Sequence, residues 1–186
     1  NILFVAGMLL FFVGFSFKIA AFPFHSWVPD VYQGSSTTVT GFMSTMGKSA
    51  AFSVFFIMML SIINGSTPNL FRSYFSIIAA FSMLFGSIVA ISQKNVKRML
   101  AYSSISHAGY IAIGLASANS DALAGMIFYL FAYSFMNLGA FGIISIIESE
   151  NEGNLELNSY MGLANKNPML AGLLSLFMFA LAGIPP

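Results

Sequence analysis

The sequence predicts an all-α, polytopic transmembrane helix bundle, and three observations carry that prediction. Of the 186 residues, 58% are apolar and 7% are charged, whereas a soluble domain carries about 25% charged residues. Such a chain cannot cover its own surface with polar groups. The apolar residues also fall into six runs, each near the roughly 20 residues that a helix needs to cross a bilayer. The strict apolar/polar alternation of outer-membrane strands is missing. A net charge of +1 gives no basic field for a nucleic acid, and the absence of Cys excludes disulfides, thiolate metal sites and thiol nucleophiles.

The runs follow one another with short connections. The first spans residues 2–22 and ends at Pro23; the others span 37–63, 74–92, 99–118, 122–147 and 168–186. Residue 1 is an Asn inside an apolar run with no charged leader, and the last run is still apolar at Ile184-Pro185-Pro186. The chain therefore reads as a single transmembrane domain, 1–186, cut from a longer protein. Two connections stand out chemically. Residues 23–34 mix proline, aromatics and Asp30, and residues 148–167 hold Glu148, Glu150, Glu152 and Glu156 and are polar enough to lie in water. If the runs alternate in direction, Lys94, Lys97, Arg98 and Lys166 share one side and Arg72 lies on the other. The excess of basic residues puts the first side in the cytoplasm.

The first and last runs contain helix breakers. A proline inside a helix removes one amide donor and frees the carbonyl four residues back, so the helix is expected to kink or break at Pro23. Gly183-Ile184-Pro185-Pro186 repeats the feature in the last run, with Pro185 as the second break. The two runs lie five apart and so cross in opposite senses, as two inverted five-helix repeats would. Interruptions at corresponding places in such repeats point to an ion or substrate pathway. The alternative is that both prolines mark helix ends at the interface.

Most charges lie in loops or at the ends of runs, but Lys18 and Lys48 do not. A lysine at the centre of a membrane helix costs about 2.5–3.5 kcal/mol on insertion scales. A desolvated ammonium can release and regain a proton near neutral pH, which a guanidinium cannot. Both are candidate proton-relay groups, with snorkelling to the headgroups as the alternative. Helical spacing places Thr37, Thr40 or Gly41, and Ser44 on the face of Lys48. That stripe is either a packing seam or a lining for water, and the lysine favours water. In the fourth run Ser103, His107 and Tyr110 recur at i, i+4 and i+7, where a neutral imidazole can accept on one nitrogen and donate from the other. A histidine merely hydrogen-bonded to a neighbouring helix stays open as the alternative. Tyr129, Tyr133 and Asn137 form a line in the fifth run, mainly for interhelical hydrogen bonding. Ser44, Ser103, Tyr110 and Tyr133 are candidate pathway-lining residues. His25 stands far from His107 with no ligand cluster around it, and no phosphate loop, catalytic triad or dinucleotide fingerprint is present.

The segments Phe17-Lys18, Pro23-Phe24-His25, Trp27, Pro29-Asp30-Val31-Tyr32-Gln33-Gly34 and Lys48-Ser49-Ala50-Ala51-Phe52 resemble the antiporter-like membrane subunits of respiratory complex I. The stretch from Asn95-Val96-Lys97-Arg98-Met99 to Ser106-His107-Ala108-Gly109-Tyr110 is similar to a second signature of that family, as is Leu181-Ala182-Gly183-Ile184-Pro185-Pro186. The resemblance implies a fourteen-helix subunit with two inverted five-helix repeats, of which this piece holds helices seven to eleven and the start of twelve. It implies that Lys18 pairs with a carboxylate on an earlier helix, that Lys48 is the central lysine, and that His107 connects the halves. It also implies a further lysine past the second break. The expected activity is proton translocation coupled to NADH:quinone oxidoreduction in a bacterial inner membrane. The expected partners are the other membrane subunits of the complex, the lipid bilayer and protons, with no nucleic acid. NADH, FMN, iron–sulfur clusters and quinone would belong to other subunits, and this chain itself would hold no cofactor. A cation/proton antiporter subunit and a non-conducting scaffold subunit are the alternatives.

Overall fold

In the computed structural model, residues 2–63, 69–117, 119–150 and 153–184 are described. Among the described residues nine α-helices follow in order: α1 (Ile2–Ile19), α2 (Trp27–Gly34), α3 (Thr37–Phe42), α4 (Lys48–Ile63), α5 (Asn69–Ile91), α6 (Val96–Ser117), α7 (Ser120–Glu150), α8 (Leu163–Lys166) and α9 (Pro168–Leu181). A single π-helical turn, Met43–Gly47, joins α3 to α4 and makes one helical run of them. Among the described residues there is no β-strand, and one antiparallel bridge links Asn95 to Glu156. The runs at 37–63, 74–92, 99–118, 122–147 and 168–186 correspond to α3 with α4, α5, α6, α7 and α9. Phe71–Ile91 and Asp121–Glu150 are each long and apolar enough to cross a bilayer unaided. Pro185 lies outside the described residues.

The first break is made differently from the expectation. α1 stops at Ile19, before Pro23, because Ala20 takes a left-handed φ of 61°. The Ala21 amide then bonds the Ser16 carbonyl at 2.9 Å and the Ala20 amide bonds that of Phe17 at 3.1 Å, which is a Schellman stop. Gly183, with φ 89°, ends α9 in the same way: the Ile184 amide reaches the Phe179 carbonyl and the Gly183 amide that of Ala180, both at 3.0 Å. The two breaks thus share one hydrogen-bond pattern, with alanine at the first where glycine is usual. The left-handed backbone costs an L-residue about 1–2 kcal/mol, and Ala20 is fully buried, so surrounding packing holds it. The Phe22 amide donates to Ser82 Oγ on α5 at 2.9 Å, and Trp27 Nε1 donates to the Phe17 carbonyl at 3.0 Å, pinning the crossing segment on both sides.

A second correction concerns residues 23–34, expected as a connection. Their second half is α2, whose Pro29 sits in the first turn, where a missing amide hydrogen is no loss. Val28, Pro29 and Tyr32 face inward. The alternation of directions holds. Arg98 at the start of α6 bonds Asp30 on α2 at 2.6 Å, and Asn95 pairs with Glu156, so residues 30, 95–98 and 156 lie at one end. Arg72 donates to the Ser117 carbonyl at 3.1 Å at the other.

Two apolar layers fill the interior. One joins Phe12 and Phe15 of α1, Phe52 and Phe55 of α4, Phe71 and Phe75 of α5, Leu115 of α6 and Leu123 of α7. Its rings stand mostly edge to face, as for Phe12 and Phe71 with centroids 4.9 Å apart. The other joins Val28, Tyr32, Val96, Leu100, Phe141 and Ile144 nearer the charged loops. α5 and α6 approach at backbone distance. A Cβ on Gly86 would stand 2.7 Å from the Ser106 nitrogen, and one on Gly109 would stand 2.8 Å from the Ala79 carbonyl oxygen.

Candidate functional site

Between the two apolar layers lies a buried polar one. It is built by Ser44, Thr45 and Lys48 from the π turn and α4, Ser104, Ser106 and His107 from α6, and Tyr133 and Asn137 from α7, and both α6 and α7 carry members of the two clusters on either side of it. Lys48 is 3% exposed, and its ammonium donates to the Ser104 carbonyl of α6. No carboxylate among the described residues forms an ion pair with it. The π turn immediately before Lys48 widens the helix, and hydroxyls compensate for the lost regularity. Ser44 Oγ and Thr45 Oγ1 both donate to the Gly41 carbonyl, at 2.8 and 2.9 Å.

The stripe of Thr37, Thr40, Gly41 and Ser44 is buried as its spacing predicts, and it packs on α7. A Cβ on Gly41 would stand 3.0 Å from the Phe141 Cβ, and the Asn137 amide donates to Ser44 Oγ at 2.5 Å. Small residues let the two helices close together, leaving Lys48 to look toward α6.

On α6 the serine that meets Lys48 is Ser104. Ser103 opens instead into a groove beside Met178, Leu181 and Ala182 of the α9 end. Both serines lie close to His107 around the helix, at roughly 40° and 60°, so spacing could not choose between them. His107 is 5% exposed, and its Nδ1 shares a 2.7 Å hydrogen bond with the Tyr129 hydroxyl of α7. Tyr133 is 1% exposed and brings its ring centroid within 5.0 Å of His107, while Tyr110 is 46% exposed at 5.9 Å. Tyr129, read from sequence mainly as an interhelical contact, is thus a direct partner of the imidazole.

Lys18 lies on the outer face of α1, exposed, with its ammonium unpaired among the described carboxylates. It lines a cavity of about 240 Å³ together with Lys48, Val28, Tyr32, Met43 and Gly47. It also lines a wider groove of about 600 Å³ with Phe11, Gly14, Ala50 and Val54. One cavity therefore touches both Lys18 and Lys48, and its wall includes the break after α1, α2 and the π turn. Pro23 is in the loop beyond α1 that carries the chain into α2. Among the described residues no three His, Asp or Glu side chains come together in the manner of a metal site.

The charged end holds one surprise. Lys97, expected as a loop cation, is 3% exposed and donates to the Ser35 carbonyl at 2.8 Å, with Glu148 at 3.7 Å. Thr37 Oγ1 donates to the other oxygen of Glu148. The Ser35 carbonyl belongs to the corner between α2 and α3, so Lys97 ties that corner to α6 and α7. Burial and the adjacent Glu148 carboxylate push the Tyr160 phenol up to about 12, which keeps it neutral. Glu148→Gln would leave Lys97 buried with the Ser35 carbonyl alone. Because Glu148 keeps 26% of its side chain exposed, water screens the pair, and the expected loss is about 1–3 kcal/mol. Adding Lys97→Met should recover part of it in thermal unfolding of the solubilised protein; strictly additive losses would show that the two are not coupled.

A transmembrane family described as NADH:quinone oxidoreductase/Mrp antiporter matches residues 1–186. NADH-quinone oxidoreductase subunit N 1 of Chloroherpeton thalassium is 46% identical over 185 residues, which is 99% of this chain and 39% of that protein. A chain of respiratory complex I from Thermus thermophilus, solved with bound aureothin, is 37% identical with a TM-score of 0.77, covering 94% of this chain and 37% of that one. A chain of the Mrp complex from a Dietzia species is 25% identical with a TM-score of 0.90, covering 100% of this chain and 34% of that one. The chain thus spans about two-fifths of the length of the curated relatives it matches.

Proposed function

This chain belongs to the NADH:quinone oxidoreductase/Mrp antiporter transmembrane family, and from that premise we propose that it is the central part of a proton-translocating subunit of a respiratory NADH:quinone oxidoreductase, most like subunit N. The observation that carries the proposal is the cavity shared by Lys18 and Lys48. In the hypothesised mechanism Lys18 pairs with a carboxylate on a helix that precedes this segment. When that pair separates, the Lys18 ammonium loses its counter-charge and becomes a better proton donor. The proton then passes through the cavity to the neutral amine of Lys48, and the ammonium so formed has the Ser104 carbonyl of α6 as its acceptor. His107, one turn along the same helix, takes it onward.

The matching stops after α1 and α9 support two inverted repeats, with Lys18 just inside the first. Lys94, Lys97, Arg98 and Lys166 would face the cytoplasm of a bacterial cell, with the chain crossing the inner membrane several times. NADH, FMN, iron–sulfur clusters and quinone are expected in other subunits of the assembly, and the neighbours of this one would be further membrane subunits.

The close superposition on a chain of an Mrp complex favours a second reading, a cation/proton antiporter subunit. The two readings separate in inverted vesicles that contain the whole complex. Under the first, NADH drives full proton uptake in a choline buffer free of sodium and potassium. A requirement for either cation, or proton flux driven by a sodium gradient without NADH, would overturn it in favour of the second.

A further inference from the structure

Tyr133 is unexplained by packing. Its side chain is 1% exposed and its hydroxyl, enclosed, makes no hydrogen bond. An unpartnered buried hydroxyl is destabilising, and phenylalanine would fill the same space without that cost. A buried polar group left without a partner calls for a reason. Its surroundings supply one. The Tyr133 ring lies with its centroid 5.0 Å from that of His107. The Ser104 hydroxyl stands beside both Tyr133 and Tyr32, and the carbonyl of the same serine holds the Lys48 ammonium.

The neighbouring groups have little left to offer each other. Ser104 spends its O–H on the Ala101 carbonyl at 2.8 Å, so its oxygen can only accept. His107 has Nδ1 engaged with Tyr129 at 2.7 Å, and in the tautomer that donates from Nδ1 the Nε2 lone pair is left to accept a proton. Of these groups Tyr133 keeps both a free proton and free lone pairs, beside His107 and beside Ser104, whose carbonyl holds Lys48. We propose that Tyr133 carries the proton from Lys48 to His107; the proposal rests on the proton-translocation reading and names the group that completes it.

The transfer balances without ionising the phenol. An N–H bond of the Lys48 ammonium breaks as a new O–H bond forms on Tyr133, and the original O–H bond of Tyr133 breaks as an N–H bond forms on His107 Nε2. Lysine ends neutral, the phenol ends neutral and the imidazole becomes imidazolium. One positive charge has moved and no electron has changed hands. The hydroxyl then rotates about its C–O bond to reset, and a hydroxyl without a hydrogen bond has none to break in turning.

The test is Tyr133→Phe in the full-length subunit within the assembled complex, measured beside Lys48→Ala. Because the hydroxyl holds no partner, Tyr133→Phe should leave assembly and thermal stability equal to or above the parent. NADH-driven proton uptake into inverted vesicles should nonetheless fall about tenfold or more, as expected on losing a positioned proton-transfer group. Parental uptake by Tyr133→Phe overturns the proposal, and so does a loss of assembled complex, which would make the hydroxyl structural. If Lys48→Ala loses uptake while Tyr133→Phe keeps it, the role of Tyr133 falls alone. If both keep it, the proton-translocation reading falls as well.

Discussion

Lys48→Ala should abolish quinone-linked proton pumping in vesicles while the assembled complex persists. The reason lies in what Lys48 touches. Its side chain is 3% exposed and its ammonium has the Ser104 carbonyl as acceptor, with no ion pair among the described residues. A charge so placed is costly at membrane depth, so its removal deletes a desolvation cost along with a hydrogen bond, and the helices around it keep their apolar contacts. A lysine required only for packing would show the opposite pattern, with lost assembly and unchanged protons per electron. Lys48→Arg sharpens the result. It keeps the charge and the hydrogen-bond donors but cannot give up a proton near neutral pH, so it should pump as poorly as alanine. Full pumping by either variant in an assembled complex would sink the idea. The measurement is fluorescence quenching by a ΔpH probe against the rate of NADH oxidation in the same vesicles.

Gly86→Val should be the most damaging apolar exchange in the chain. Even the first carbon of a side chain at Gly86 would stand 2.7 Å from the Ser106 nitrogen and 2.8 Å from the Tyr102 carbonyl oxygen. Those are backbone atoms of α6, which cannot turn aside as a side chain can, so the two helices must separate. Overpacking of this kind costs about 1–3 kcal/mol, and more where the backbone itself must move. The separation would also strip the 2.9 Å contact between Ser87 Oγ and Ser106 Oγ beside it. Gly142→Ala is the control, because no atom lies within 4 Å of the added carbon and alanine is the better helix former. It should leave the melting temperature of the solubilised protein unchanged or raise it, whereas Gly86→Val should lower it and reduce the yield of folded protein. Equal melting temperatures for the two variants would contradict the close approach of α5 and α6.

The long helices were legible because a bilayer demands long apolar runs, and α5, α6 and α7 answer to the runs predicted within a few residues. What sequence obscured was the manner in which those runs are interrupted. Pro23 drew attention to the right region, yet Ala20 makes the turn; alanine gives no sign of a left-handed backbone, which packing enforces. The π turn at Met43–Gly47 had no signature either, since its serine and threonine read equally well as a polar stripe. At the candidate site the lysines were legible because charge is rare in this chain. Ser104 was not, because its value comes from a backbone carbonyl, and every residue has one. Lys97 reads as one of the charges in loops or at the ends of runs because the sequence gives no view of Glu148, some fifty residues away, closing over it. Burial of a charge by a distant partner is a tertiary fact that local spacing cannot carry.

The glycine seam between α5 and α6 sets one part of the site apart from the other. α6 supplies the Ser104 carbonyl and His107, and its backbone comes against that of α5 at Gly86 and Gly109, with Ser87 and Ser106 bonded beside the seam. Lys18 and Lys48 ride on the interrupted elements instead, one just before the turn at Ala20 and the other just after the π turn, where helical order is already broken. The acceptor groups thus sit on one continuous helix, and each lysine sits beside a place where the backbone hydrogen-bond ladder changes its pattern.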